Sequence, residues 1–239
     1  MQPDKPRTPP RFYKAVDIAP HGDGFCVRLD GRGAKTPGGG VLSAPTEGLA
    51  RVIADEWAAQ DQVIDLGAMH ATRLAFTALD RTVEARAAMA AEVARYAGSD
   101  LLCYLAEEPK VLAEREAAVW GPWLSWFDQS LGVKLAPSIG IAPVRQSPEA
   151  LARVEALAGE LEDFRLTGLA FAAALYGSAV LAFAVERGAL RAGDAFELSR
   201  LDEAFQEEQW GVDEEAHARA EALRMEAGMI GRWFAALNG

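Results

Sequence analysis

The sequence predicts an α+β protein. A small N-terminal antiparallel β-sheet domain with a covering helix is followed by a larger, orthogonal all-α helical bundle. Two observations lead to this fold class. Short runs of alternating polarity, bounded by turn residues, fill the first sixty positions, whereas almost every segment from about Ala68 onward has helical periodicity. The predicted division is a disordered tail at 1–10, a β-rich domain at 11–67 and a helical domain at 68–239.

Two strand-like runs begin the β-rich domain. Phe12–Ile18 is the first, and Phe25–Leu29 is the second, in which apolar and polar residues alternate. Asp30 and Gly31 follow as a dipeptide typical of tight hairpin turns. These signals predict a small antiparallel sheet.

A helix should then cover this sheet. Thr46 has the side chain of an N-cap, and Leu49, Val52, Ile53 and Trp57 recur at the spacing of one helix face. Because Trp57 lies on that apolar face, we assign it a structural role between helix and sheet.

The sequence of the helical domain also indicates where some of its helices begin or are interrupted. Pro122 lies within the predicted helix Val111–Leu131, so a break or kink is expected at Gly121. Asp194 and Glu197 have the spacing of a capping box at the start of a later helix.

The segment Leu166–Val185 has no charged residue and could in length span a bilayer. It is rich in alanine, glycine, serine and threonine, which makes it only marginal for membrane insertion. We therefore predict one central buried helix, with Ser178 in its interior, rather than a transmembrane span.

The composition narrows the classes of partner. A net charge of −11 and a pI near 4.8 disfavour nucleic acid and anionic membranes, whose binding needs cationic surfaces. Cys26 and Cys103 lie far apart and are read as reduced thiols of a cytoplasmic-type compartment. The first eleven residues have neither the apolar core of a secretory signal nor the character of a transit peptide.

Few residues could support catalysis or ligand binding. Ser178 lacks the strand–turn–helix setting of a nucleophile elbow, and packing is its better explanation. The histidines are scattered, so the sequence predicts no metal site and no cofactor. Glu214 and His217 could share one helical face, which leaves a small acid/base enzyme as the alternative function.

The stretch from Leu201 to Ala216 is the most informative part of the chain. Apolar and acidic residues at helical spacing precede a Trp-Gly pair, and an acidic cluster follows it. An exposed tryptophan beside acids is typical of protein interfaces, although acids at a helix start also stabilise the helix dipole. The candidate partner-binding residues are Glu207, Trp210, Asp213 and Glu214.

A series of short motifs resembles one protein family along the chain from about Arg11 to Ala220. In order, the motifs are RFYK at 11–14, LDGR at 29–32, KTP at 35–37, PT at 45–46, EW at 56–57, DLLCY at 100–104, GL at 168–169, GS at 177–178, LDE at 201–203 and QWG at 209–211. Together they are similar to the assembly chaperones of the catalytic headpiece of ATP synthase that escort the alpha subunit.

This resemblance implies a non-enzymatic protein that binds the free alpha subunit and prevents its aggregation until assembly with the beta subunit. In the family an acidic residue after the Trp-Gly pair is critical, and Glu214 matches it. The tryptophan of the EW motif matches Trp57. Two departures, His70 and Gly121, affect local helix geometry. The resemblance also implies a chaperone that is monomeric when free and is located in the bacterial cytoplasm, or in the mitochondrial matrix for a eukaryotic chain lacking its transit peptide.

Overall fold

The computed structural model describes residues 9–140 and 145–239. The chain divides into two units, one comprising residues up to Val83 together with Ala235–Gly239, the other comprising Glu84–Phe234. Most of the predicted disordered tail, and part of the loop expected near residue 140, lie outside the described residues.

The first unit contains the antiparallel sheet that the sequence predicted. Its strands are β1 (Val16–His21), β2 (Gly24–Leu29), β3 (Arg32–Gly33) and β4 (Ser43–Ala44). The order is β1-β2-β3, and β4 also pairs with β2.

The first strand begins at Val16 and not at Phe12. The carboxylate of Asp30 accepts hydrogen bonds from the amides of Lys14 and Ala15, at 3.0 and 2.8 Å. Because these amides bond to a side chain, no strand ladder forms there. Asp30 and Gly31 both have positive φ, 49° and 76°, which confirms the predicted turn between β2 and β3.

The helix α1 (Glu47–Ala58) packs on β1 and β2 as predicted. The Thr46 hydroxyl accepts a hydrogen bond from the amide of Leu49 at 3.1 Å and so caps the helix. Leu49, Ile53 and Trp57 are buried, whereas Val52 is half-buried. A 3-10 turn and α2 (His70–Thr77) complete this part of the unit.

The end of the chain also belongs to the first unit. The helix α10 (Glu214–Leu237) has its last residues, from Ala235 onward, in this unit. The Thr46 hydroxyl donates a hydrogen bond to the carbonyl of Ala236 at 2.6 Å, so one side chain caps α1 and binds the end of α10.

The second unit is mainly helical. Its other helices are α3 (Val83–Gly98), α4 (Lys110–Leu131), α5 (Pro148–Gly159), α6 (Asp163–Tyr176), α7 (Ala179–Glu186), α8 (Ala192–Ser199) and α9 (Leu201–Trp210). A short parallel pair, β5 (Tyr104–Leu105) and β6 (Ser138–Ile139), joins them. Together the units have the predicted α+β fold, with β5 and β6 added to the helical part.

The uncharged segment forms two helices, not the one predicted. Gly177 ends α6 with φ of 62°, and Ser178 starts α7 as an N-cap that accepts from the amide of Leu181 at 3.1 Å. The Ser178 hydroxyl donates to Asp100 at 2.7 Å. Every residue of α7 is buried. Within the described chain, no helix has both the length and the hydrophobicity needed to cross a membrane.

Two further expectations concern helix ends. Of the break or kink expected at Gly121, the break does not occur, because α4 continues through Pro122 to Leu131. Asp194 and Glu197 do not form a capping box. The helix begins earlier, with Arg191 as its N-cap, and the carboxylate of Asp194 in the first turn pairs with the guanidinium of Arg191 at 2.6 Å.

Candidate functional site

The predicted partner-binding residues lie where α9 meets α10, and Glu207–Glu215 is here named the junction surface. The helix α9 ends at Trp210, and Gly211 follows with φ of 89° and ψ of 170°. This backbone conformation is accessible almost only to glycine. Gly211 therefore permits the sharp change of direction that separates the two helices.

Apolar side chains on the junction surface face solvent. Trp210 is 80% exposed and Val212 is 61% exposed. Large aromatic side chains are enriched at interface hot spots, where burial on binding releases water from a large apolar area.

The acids of the junction surface differ in their availability to a partner. Asp213 accepts a hydrogen bond from the amide of Ala216 at 2.8 Å and thereby caps α10. Glu207 is half-buried and forms an ion pair with Arg200 at 3.1 Å. Glu214 is exposed, and its carboxylate has no hydrogen bond or ion pair within residues 9–140 and 145–239. Of the three predicted acids, Glu214 is thus the one whose charge is uncommitted.

Two apolar residues of α9 and one acid of the junction surface hold this helix against the rest of the second unit. Leu201 and Phe205 are buried, and Glu208 forms an ion pair with Arg115 of α4 at 2.9 Å. These contacts fix the orientation of α9 and so leave Trp210 at its exposed end.

A buried carboxyl pair joins α4 to α9. Glu116 accepts a hydrogen bond from the amide of Ala106 at 2.5 Å, and its side chain also meets the carboxyl group of Asp202. Burial, followed by the contact with Asp202, raises the pKa of Glu116 to about 7. The raised pKa favours the protonated form of Glu116, which can donate a hydrogen bond to Asp202. The sequence alone could not predict this contact, because Glu116 and Asp202 are far apart along the chain.

Trp57 belongs to the first unit. It is 7% exposed, its carbonyl accepts a hydrogen bond from the Tyr13 hydroxyl at 2.7 Å, and the two rings lie 5.7 Å apart. These contacts fit the structural role predicted for Trp57. The sequence did not reveal its contact with Tyr13, because the two residues are far apart along the chain.

The residues of the alternative enzyme have no specialised surroundings. Glu214 and His217 are both exposed in the first turns of α10, and their side chains form no hydrogen bond with each other in the described structure. Among the described residues, no three histidine, cysteine or carboxylate side chains cluster in a way that could hold a metal ion. Ser178 caps a helix and binds Asp100, so its contacts are structural.

Two solved structures that are similar to this chain in fold and sequence are described as chaperones or as Atp12. Atp12 from Paracoccus denitrificans is 39% identical, with 95% of this chain and 97% of that chain covered and a TM-score of 0.88. A putative chaperone from Agrobacterium tumefaciens is 35% identical, covers 96% and 86% of the two chains, and has a TM-score of 0.89.

Sequence comparisons lead to the same class. The family described as ATP12 chaperone protein matches residues 10–128. The mitochondrial protein atp12 of Schizosaccharomyces pombe is 25% identical over 222 residues, which is 87% of this chain and 75% of that protein. The chain belongs to the ATP12 chaperone family. The family indicated by the sequence motifs, the assembly chaperones of ATP synthase, is thereby confirmed.

Proposed function

We propose that this protein is a non-enzymatic chaperone that binds the free alpha subunit of the ATP synthase catalytic headpiece. It prevents aggregation of that subunit before assembly with the beta subunit. Membership of the ATP12 chaperone family supports the chaperone role. The observation that carries the proposed site is Trp210, 80% exposed beside the uncommitted carboxylate of Glu214.

The junction surface combines two kinds of interaction. Trp210 and Val212 offer apolar area, and Glu214 offers a charge that can pair with a lysine or arginine of the partner. Asp213 holds the first turn of α10, and Glu207 holds α9 through Arg200. We infer that these two acids mainly orient the surface, whereas Trp210 and Glu214 contact the alpha subunit.

The test is the aggregation of refolding alpha subunit, followed by light scattering. Wild-type chaperone should suppress scattering, Glu214→Lys should fail to do so, and Glu214→Gln should have an intermediate effect. Loss of one desolvated charge pair costs about 2–5 kcal/mol in binding, and reversal adds repulsion. The circular dichroism spectrum should stay unchanged, because Glu214 is exposed.

Glu149→Lys is the matched control. Glu149 is also an exposed acid in the first turn of a helix of the second unit, α5, so its reversal changes net charge and the interaction with the helix dipole equally. It should protect the alpha subunit as wild type does. Equal protection by wild type and folded Glu214→Lys would remove Glu214 from the binding site.

A further inference from the structure

The first unit contains a surface groove whose shape and charge resemble those of a binding site. It has a volume of about 700 Å³, within the range of sites that bind small organic groups. Its inner wall is apolar and includes Tyr13, Leu29, Trp57 and Ile64. These residues also belong to the buried core, so the wall is held rigidly by the sheet and by α1.

The mouth of the groove is open and bordered by exposed apolar side chains. Phe12 is 71% exposed and Leu66 is 41% exposed, and both line the groove. Exposed large apolar side chains around a concave apolar wall are typical of binding sites, since a partner there removes apolar area from water.

The rim of the groove is cationic although the whole chain has a net charge of −11. Arg32 and Lys35 line it, are exposed, and have no ion pair among the described residues. The acid nearby, Asp30, accepts hydrogen bonds from two backbone amides, which hold the pKa of its carboxyl below the usual range. Asp30, which also lines the groove, therefore stays ionised, but the turn occupies its carboxylate, and Arg32 and Lys35 together leave the lining with an excess of positive charge for an acidic ligand.

A short sheet edge of two residues also borders the groove. Arg32 and Gly33 form β3, which is the end strand of the sheet and pairs with β2 alone in the described structure. Ala34 and Lys35, which follow, already pair with Leu42 and Val41, so only the backbone of Arg32 and Gly33 is left at this edge for a short extended stretch of peptide.

We propose that this groove is a second binding site, for an extended peptide segment of a partner protein. The segment places a large apolar side chain against Trp57 and Phe12 and an acidic side chain against Arg32 and Lys35. The cationic rim selects an acidic segment, and the two-residue edge of β3 can hold one short extended stretch of it. The site differs from the junction surface in both charge and unit.

The test measures binding of short fluorescein-labelled peptides, about eight residues long, to the full-length protein by fluorescence anisotropy. One peptide carries phenylalanine and aspartate, a second has lysine in place of the aspartate, and a third has alanine in place of the phenylalanine. The first should bind about tenfold more tightly than either of the others, the difference expected for one charge pair or one buried ring.

Variants connect this preference to the groove. The double variant Arg32→Glu/Lys35→Glu should reverse it, so that the lysine peptide binds about tenfold more tightly than the aspartate peptide. Phe12→Ala should weaken the phenylalanine–aspartate peptide with little change in folding, because Phe12 is exposed. Lys134→Glu/Arg145→Glu, which reverses two exposed cations of the second unit, should leave the preference unchanged.

In the double variant, binding of the lysine peptide should become tighter than in wild type. Misfolding can only weaken binding, so it cannot explain this result. Three results would overturn the proposal: no difference between the aspartate and lysine peptides, an equal effect of the control variant, or displacement of the peptide by decanoate alone. The last result would make the groove a pocket for small apolar acids.

Discussion

Replacement of Trp57 by alanine tests how the helix α1 is joined to the sheet. The indole is nearly buried and packs on the ring of Tyr13. Emptying a buried aromatic site costs about 3–5 kcal/mol. Because Trp57 also lines the open groove, water can enter the space that is left. We therefore expect a loss near the lower end, about 3 kcal/mol.

Two conservative variants make this prediction sharper. The indole nitrogen of Trp57 is buried without a hydrogen-bond partner, so Trp57→Phe removes a donor that is unsatisfied in the folded state. This relief partly offsets the lost contacts, and a cost of only about 1 kcal/mol is expected. Tyr13→Phe loses the hydrogen bond to the Trp57 carbonyl and should also cost about 1 kcal/mol.

The measurement is urea unfolding followed by far-ultraviolet circular dichroism. If the two units unfold in separate transitions, the loss should appear in the transition of the first unit. A Trp57→Ala variant within about 0.5 kcal/mol of wild type would refute the assigned packing. Equal costs for Trp57→Ala and Trp57→Phe would contradict the relief expected from removing the unsatisfied indole nitrogen.

Two further predictions concern the second unit. The pKa of Glu116 is raised to about 7 in the folded chain. Between the ordinary carboxyl range and about pH 7, the folded chain therefore binds more protons than the unfolded chain. The free energy of unfolding should fall as pH rises through this window. Glu116→Gln, whose amide can donate to Asp202, should flatten this fall in urea titrations at several pH values, and an unchanged slope would contradict the shift. A Cβ on Gly168 would lie 2.8 Å from the Trp233 indole nitrogen, so Gly168→Ala should cost about 1–3 kcal/mol. In Gly228→Ala a Cβ meets no atom within 4 Å, so it should instead stabilise α10 by about 0.5–1 kcal/mol, and equal thermal melting of both variants would refute the packing assigned to Gly168.

The sequence predicted those elements whose signals are local. Thr46 caps α1, Asp30 and Gly31 form the turn, and the Trp-Gly pair marks the exposed end of α9, because each depends on a few adjacent residues. The exposure of Trp210 could be inferred from the acids around it, since a tryptophan among charges has few buried neighbours along the helix.

The errors arose where distant contacts override a local pattern. The apolar pattern predicts Ser178 inside a helix. However, the carboxylate of Asp100, which is distant in sequence, accepts a hydrogen bond from the Ser178 hydroxyl and another from the amide of Val180 at 3.0 Å. These bonds stabilise the start of a new helix, so apolar periodicity alone could not locate the break. At Pro122 the opposite happens: the break that a proline allows does not form, because the buried contacts of α4 hold that helix together despite one missing hydrogen bond.

The sequence also could not predict which acids of the candidate site are free to bind a partner. Glu207 and Glu214 look alike in the sequence, yet Arg200 neutralises the first and no described residue pairs with the second. Trp57 is nearly buried, and the groove beside it is bordered by Phe12, which the sequence pattern places in a strand.

The bond between Thr46 and the carbonyl of Ala236 has a consequence for biosynthesis. A ribosome delivers the strands of the first unit early, and N-terminal domains usually fold as they emerge. Here the segment that completes the first unit emerges only after the entire second unit has been translated. The nascent first unit therefore stays without this contact until translation ends, and a messenger truncated just before codon 235 would yield a complete second unit and a first unit that lacks the Thr46 bond to Ala236.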